Sequence, residues 1–235
     1  MKKTLYTLNL HPEEYADITA MTYPLLKHYA KKIGAEFVEI TGRRFPEWPP
    51  TFEKLQVYEL GKAAKNDWNI FFDADAMVHP DTADYTALLP RDTCAHNGAD
   101  MAAIRFKYDK FYLRDGRNIG SATWLCMASD WTIEMFEPPT DIKPEEVDRM
   151  IFPTVQELQN GVEPIRLVED FIIGRNIAKY GLKFTTIKEL NVKLGLGELC
   201  HFYHIYAVPK DVKLTRMKQV WEAWGMGEVP GPEKK

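Results

Sequence analysis

The first 75 residues alternate between two hydrophobic patterns, and this alternation restricts the fold more than any other feature of the chain. Residues 4–10 alternate apolar and polar side chains as a strand does, and residues 12–33 carry an apolar face at helical spacing. A second strand is predicted at 36–40, a second helix at 52–64 and a short buried strand at 69–72. Because this order of elements requires crossover helices, it predicts an α/β fold with parallel strands.

The second half of the chain is less regular. A stretch rich in proline and acidic residues, 137–163, has the character of an insertion over the site. The remaining patterns predict strands at 102–106, 122–127 and 199–204 and helices at 129–136, 145–159, 169–180 and 209–224.

Composition limits the class of protein. A chain of 235 residues that is 45% hydrophobic buries a sizeable core without disulfides or a structural metal. The net charge of −4 comes from 30 basic and 34 acidic residues that are interspersed, so no polybasic stripe favours nucleic acid or anionic lipid. A polyanionic acceptor is unsupported by this pattern but stays open.

The cysteines and the hydropathy predict a cytoplasmic protein. Cys94, Cys126 and Cys200 are far apart and form no CxxC pair, which favours reduced thiols over disulfides or a zinc site. The first ten residues are unlike a signal-peptide core, and no run of about 18 apolar residues occurs, so we expect no stable membrane insertion. Without an amino-terminal anchor, the pattern favours a bacterial, viral or otherwise cytosolic enzyme.

The strongest local signal is an apolar strand that ends in Asp73-Ala74-Asp75. Once the chain leaves the extended conformation, both carboxylates can turn to one edge and share a hard divalent cation with a diphosphate. Ala74 is small enough to allow the backbone to approach a ligand closely. Acidic residues also end strands for no functional reason, but the pair after a buried run favours a metal site.

This DxD motif, with the segment 51–56 before it, resembles the GT-A glycosyltransferases, in particular the retaining families of glycogenin, of bacterial lipopolysaccharide sugar transferases and of yeast-type α-galactosyl and α-mannosyl transferases. The resemblance extends over residues 4–209 at the level of motifs. It implies a single GT-A, Rossmann-like domain over 1–228, with a mostly parallel central sheet flanked by helices. Residues 1–80 would then form the nucleotide-binding half and 81–228 the acceptor half, followed by a disordered tail at 229–235.

The resemblance also implies an activity. Asp73 and Asp75 would hold Mn²⁺ or Mg²⁺, and a sugar would pass from a nucleoside-diphosphate sugar, with UDP-hexose favoured, to an acceptor hydroxyl with retention of configuration. The acceptor stays open among a glycan, a lipid-linked sugar, a protein and a modified nucleic-acid base.

Two further segments match the retaining families. Asn118 and Gly120 resemble an Asn-x-Gly element in which the asparagine reaches the donor sugar, although an ordinary turn is the better explanation of the pair in isolation. Glu169 and Asp170 begin a predicted helix, where acidic residues also stabilise the helix dipole without any other role. The resemblance implies that one of them orients the substrate or stabilises charge on the sugar.

The late segment 199–204 supplies the third metal ligand in this resemblance, for which we expect His201, with His204 as the alternative. The family continues with glycine and then Lys-Pro, whereas this chain has His204 in the glycine place and Pro209-Lys210. Lys210 is therefore only a candidate contact to the diphosphate.

The amino-terminal half contributes candidates for nucleotide binding. Tyr6, Thr7 and Leu8 end the first strand, where backbone groups and the tyrosine would hold the base. Lys54 would approach the base or the phosphates, although a lysine on a helix is usually a solvated charge.

Two other functions stay open. A phosphatase of the haloacid dehalogenase type also places Asp-x-Asp after an apolar strand, but it needs Thr or Val where Met77 stands and its motif lies nearer the amino terminus. A non-catalytic sugar-nucleotide or glycan binding protein would retain the same motif. Hydrolysis of p-nitrophenyl phosphate and release of nucleoside diphosphate separate these alternatives.

Overall fold

The computed structural model describes residues 1–97, 122–152, 155–159, 161–193, 195, 201–205 and 208–231. The strands are β1 (Lys3–Leu8), β2 (Ala35–Ile40), β3 (Trp68–Asp73), β4 (Met77–Val78), β5 (Thr93–His96), β6 (Leu125–Ser129), β7 (Lys183–Thr186) and β8 (Phe202–Tyr203). The α-helices are α1 (Ala16–Lys32), α2 (Val57–Ala64), α3 (Pro144–Asp148), α4 (Val155–Gln159), α5 (Val168–Tyr180), α6 (Ile187–Lys193) and α7 (Lys210–Ala223).

A six-stranded sheet in the order β2-β1-β3-β6-β5-β7 forms the centre of the fold. Strands β2, β1 and β3 are parallel neighbours, and β5 is parallel to β7. Strand β6 lies antiparallel between β3 and β5. A separate antiparallel pair, β4 with β8, lies beyond the end of β3. This arrangement confirms the predicted α/β class with a mostly parallel sheet.

Helices cover both faces of the sheet, which explains why residues 70–72 of β3 are all apolar. Successive residues of a strand point to opposite faces. Phe71 therefore packs in the same cluster as α5, and Phe72 packs in the cluster that contains Leu26 of α1. A strand buried on both sides reads as a continuous hydrophobic run, as expected for the parallel part of a covered sheet.

Several local predictions were wrong. The predicted helix at 129–136 is a strand end followed by a short 3-10 helix, Ile133–Phe136, because Ser129 still pairs with Trp68 in the β-ladder. The predicted helix at 52–64 begins as a 3-10 helix, Pro50–Gln56, and only then becomes α2. The predicted helix at 145–159 is two short helices, α3 and α4. The prediction at 102–106 lies outside the described residues.

The stretch 137–163 contributes to the core. Val147, Ile151 and Val162 are buried in the same cluster as Phe171 of α5. Close to the carboxyl terminus, Val229 packs against the cluster that joins α1 and α7. Within the part of the chain that the structure describes, no helix combines the length and apolarity needed to cross a bilayer.

Candidate active site

Asp73, the last residue of β3, begins a tight turn at the carboxyl end of the parallel strands. Its N–H donates to the Trp124 carbonyl at 2.8 Å, and its carbonyl accepts from the Ala76 N–H at 3.0 Å. The Ala74 carbonyl accepts from the Thr22 hydroxyl of α1 at 2.5 Å, which fixes the middle of the turn. Asp73 and Asp75 therefore leave the sheet at the edge where α/β proteins bind ligands.

His204 joins the two aspartates. Its Nε2 atom lies 3.2 Å from Asp75 Oδ1 and 3.7 Å from Asp73 Oδ2. One ligand atom from each of the three residues lies within 4.8 Å of the others, as a shared cation requires. Two carboxylates and an imidazole are a donor set that suits Mn²⁺ or a similar divalent ion. The residues therefore fit the metal that the DxD motif implies.

His201, our first choice as the third ligand, lies elsewhere. Its carbonyl accepts from the His79 N–H at 2.7 Å, and its ring stacks on the His79 ring with centroids 5.5 Å apart. Burial lowers the pKa of His201, as does the neighbouring His79. The described geometry brings His204, the alternative, to the aspartates because the short β8 strand pairs Tyr203 with Met77 and ends beside the DxD turn.

Lys213 of α7 forms an ion pair with Asp75. Both side chains are shielded, with 13% of Lys213 and 12% of Asp75 exposed. Burial alone would raise the pKa of Asp75, but the interactions with His204 and Lys213 outweigh it and hold that pKa well below its usual range. Lys210, the predicted contact, instead donates to the Glu14 carbonyl at 2.6 Å and pairs with Asp17.

Lys54 is buried, with 2% of its side chain exposed, and its ammonium joins several site residues. It lies 3.1 Å from Asp73 Oδ1, 3.3 Å from Glu169 Oε1 and 3.1 Å from the Thr123 hydroxyl. Burial opposes its charge, but Asp73, Glu169 and Asp170 together raise its pKa. The structure thus places Lys54 next to the first aspartate of the DxD motif.

The two acidic residues at the start of α5 have different surroundings. Glu169 is buried and accepts from the Thr51 hydroxyl at 2.8 Å, and its burial raises its pKa even though Lys54 opposes the shift. Asp170 is half-buried. Its Oδ1 atom accepts from both the N–H of Thr123 at 3.0 Å and the hydroxyl of Thr123 at 2.5 Å. A continuous polar path therefore runs from Asp170 through Thr123 and Lys54 to Asp73.

The candidates on β1 occupy different positions. The Tyr6 hydroxyl accepts from the Asn66 side chain at 2.9 Å, and the residue is buried in the core away from the site. Thr7 is also fully buried. Leu8 pairs with Asp73 in the β1–β3 register and lies at the site edge, where its backbone is near the DxD turn. Asn118 and Gly120 lie outside the described residues.

Sequence reasoning missed Thr123, Trp124 and Lys213. The indole of Trp124 stacks on the His204 ring, with centroids 5.1 Å apart and planes inclined by 17°. Thr123 and Trp124 reach the site because β6 lies antiparallel beside β3, a pairing that no local pattern reveals. Lys213 lies three residues after Lys210 in α7, and residues at this spacing share a helix face. The helical spacing was therefore the signal from which Lys213 could have been predicted.

Comparison with known proteins bears on the fold. The structure is similar to that of a glycosyltransferase involved in the glycosylation of the major capsid of PBCV-1, with a TM-score of 0.50, 13% identity and coverage of 93% of this chain and 100% of that chain. It also matches A197 from STIV, with a TM-score of 0.34, 12% identity and coverage of 60% and 70% of the two chains. No protein-family model and no curated protein matches the sequence. The sheet, its flanking helices and the first likeness define a GT-A, Rossmann-like fold.

Proposed function

We propose that this protein is a metal-dependent glycosyltransferase that moves a sugar from a nucleoside-diphosphate sugar to an acceptor hydroxyl. The observation that carries the proposal is the meeting of Asp73, Asp75 and His204 at the carboxyl edge of the sheet. A diphosphate beside two carboxylates is repelled unless a cation lies between them. The donor set supplies the place for such a cation, and the fold supplies the edge for the nucleotide.

Asp73, Asp75 and His204 would hold Mn²⁺ or Mg²⁺, which when bound neutralises charge on the departing diphosphate. Lys213 pairs with Asp75 and would add a second positive charge near the leaving group. Leu8 and the Ala74 backbone border the turn, so the nucleotide would lie over the end of β1. UDP-hexose is the donor that we propose. Lys210, which pairs with Asp17, would lie at the periphery of the site.

Retention at the anomeric carbon is part of the proposal. Glu169 is paired with Lys54, and Asp170 accepts two hydrogen bonds from Thr123. Because both carboxylates already accept hydrogen bonds or pair with neighbouring groups, neither is placed to take the acceptor proton, which favours proton transfer to the leaving diphosphate. Asp170 and Asn118 would then stabilise positive charge on the sugar, and Glu169 would hold Lys54 in place.

The acceptor belongs to one of four classes, namely a glycan, a lipid-linked sugar, a protein or a modified nucleic-acid base. We also propose a cytoplasmic location. Cys94 and Cys126 are free and buried, as thiols are in a reducing compartment.

The test measures release of nucleoside diphosphate from UDP-, GDP- and CDP-hexoses, with Mn²⁺ and with EDTA. We expect slow donor hydrolysis with one of these sugars and Mn²⁺, and loss of the activity in Asp75→Asn. NMR of the released sugar, or of a product once an acceptor is found, should show the anomeric configuration of the donor. Hydrolysis of p-nitrophenyl phosphate with no turnover of any sugar nucleotide would instead establish a phosphatase.

A further inference from the structure

Trp124 contacts both the strand that carries the first aspartate and the histidine of the candidate metal centre. Its carbonyl accepts the Asp73 N–H at 2.8 Å, and its indole stacks on the His204 ring at 5.1 Å and 17°. Asp73 ends β3 and His204 follows β8, so these two ligands come from parts of the chain about 130 residues apart. Trp124, which directly precedes β6, belongs to a third segment and contacts both ligands.

We propose that Trp124 is a positioning residue that holds the His204 imidazole in the orientation needed for metal binding. This inference rests on the metal centre of the proposed function. An imidazole binds a cation along the direction of one ring nitrogen, so rotation of the ring removes the ligand. A nearly parallel stack leaves the ring free to slide but resists its tilting.

The surroundings of Trp124 hold its ring in place. The Trp124 side chain is half-buried and packs against the core cluster that contains Phe72, so it does not rotate freely. His204 is itself 8% exposed, and its Nε2 atom is the one that faces Asp75 and Asp73. A packed neighbour restricts the orientations of the imidazole before a cation binds. Less conformational entropy is therefore lost on binding.

The Asp73 contact has a separate effect. The hydrogen bond to the Trp124 carbonyl uses the backbone and survives any change of side chain. A substitution at position 124 therefore tests the contact to His204 while it leaves the hydrogen bond to Asp73 in place. This separation makes the side chain of Trp124 a specific probe of histidine orientation.

The experiment titrates Mn²⁺ into the protein without nucleotide and follows free Mn²⁺ by electron paramagnetic resonance. Trp124→Leu should bind Mn²⁺ about tenfold more weakly, as is typical when support around a metal ligand is lost. Trp124→Phe, which retains a ring, should stay within about twofold of the wild type. Trp131→Leu is the matched control, because Trp131 is 62% exposed and lies two residues beyond the carboxyl end of β6.

Recovery of the affinity in Trp124→Phe is the result that a general loss of structure would not give, and fluorescence checks separately that the bound ion lies beside Trp124. Bound Mn²⁺ should quench part of the tryptophan emission in the wild type and in Trp131→Leu, and this part should vanish in Trp124→Phe. Equal Mn²⁺ affinity in the wild type and Trp124→Leu, or an equal loss in Trp131→Leu, would overturn the role of Trp124. A wild type that binds no Mn²⁺ would overturn the metal centre itself, and the inference with it.

Discussion

The ammonium group of Lys54 lies 3.1 Å from the Asp73 carboxylate, which is the first carboxylate of the DxD turn. Lys54 belongs to the 3-10 helix before α2, whereas Asp73 ends β3, so this contact ties a connecting segment to the candidate metal centre. The same ammonium contacts Glu169 of α5 at 3.3 Å. Three elements thus meet around the buried ammonium group of Lys54.

Replacing Lys54 by Met should destabilise the protein strongly. Removal of one partner of a buried ion pair leaves an uncompensated charge, here on Glu169, and typically costs about 3–5 kcal/mol. Urea unfolding followed by fluorescence measures the free energy of unfolding. Lys62→Met, on the exposed side of α2, is the control and should have almost no effect.

A second substitution separates charge from packing. In Lys54→Met combined with Glu169→Gln, the buried charge is absent, so part of the lost stability should return. A Lys54→Met protein as stable as the wild type would contradict a structural role for this ion pair.

Lys213→Met should bind Mn²⁺ more tightly than the wild type when no nucleotide is present. The Lys213 ammonium occupies an oxygen of Asp75, and a cation that takes this oxygen must displace it. Loss of that competition should raise the affinity about five- to tenfold, as expected for a pair of intermediate burial. Lys210→Met, which removes a lysine paired with Asp17 instead, should leave the affinity unchanged. Weaker Mn²⁺ binding in Lys213→Met would show that the lysine supports the metal centre.

The free energy of unfolding should decrease between pH 7.5 and pH 5, partly because of His96. Burial lowers the pKa of this histidine to about 4, although Asp170 and Glu189 oppose the shift. Between pH 6.5 and 4 the unfolded chain therefore binds a proton that the folded chain does not, and stability falls as the pH falls. At pH 5 the proton bound only by the unfolded chain lowers the free energy of unfolding by about 2 kcal/mol.

His96→Gln tests this assignment because glutamine does not titrate. The loss of stability between pH 7.5 and pH 5 should be about 2 kcal/mol smaller in His96→Gln than in the wild type. The exposed His28 provides the control, and His28→Gln should retain the full loss. The same loss in all three proteins would rule out His96 as the source.

The candidate metal ligands differ in how far neighbouring residues in the sequence determine their position. Asp73 and Asp75 were predictable because the buried strand and the turn that carry them are adjacent in the chain. His204 was only the alternative, because its choice over His201 depends on how the two residues of β8 pair with β4. That register is set by packing against the rest of the fold and leaves no periodic signal in so short a strand.

The fold likewise divides into a part with local patterns and a part without them. The parallel half was predictable because long helices and buried strands alternate there at clear periods. Strands β5 and β7 were missed because each has only four residues, too few to establish a pattern of alternation. Thr123 became part of the site through the pairing of β6 with β3, a contact between segments more than 50 residues apart.

Calorimetry of UDP binding with Mn²⁺ and with EDTA tests the metal-bridged site most directly. We expect tight binding with Mn²⁺ and little binding with EDTA, because the two carboxylates repel an uncompensated diphosphate. His204→Ala should lose most of the Mn²⁺-dependent affinity, whereas His201→Ala should retain it, since only the His204 ring faces Asp73 and Asp75 in the part of the chain described. Equal UDP affinity of the wild type in Mn²⁺ and in EDTA would contradict the metal-bridged site.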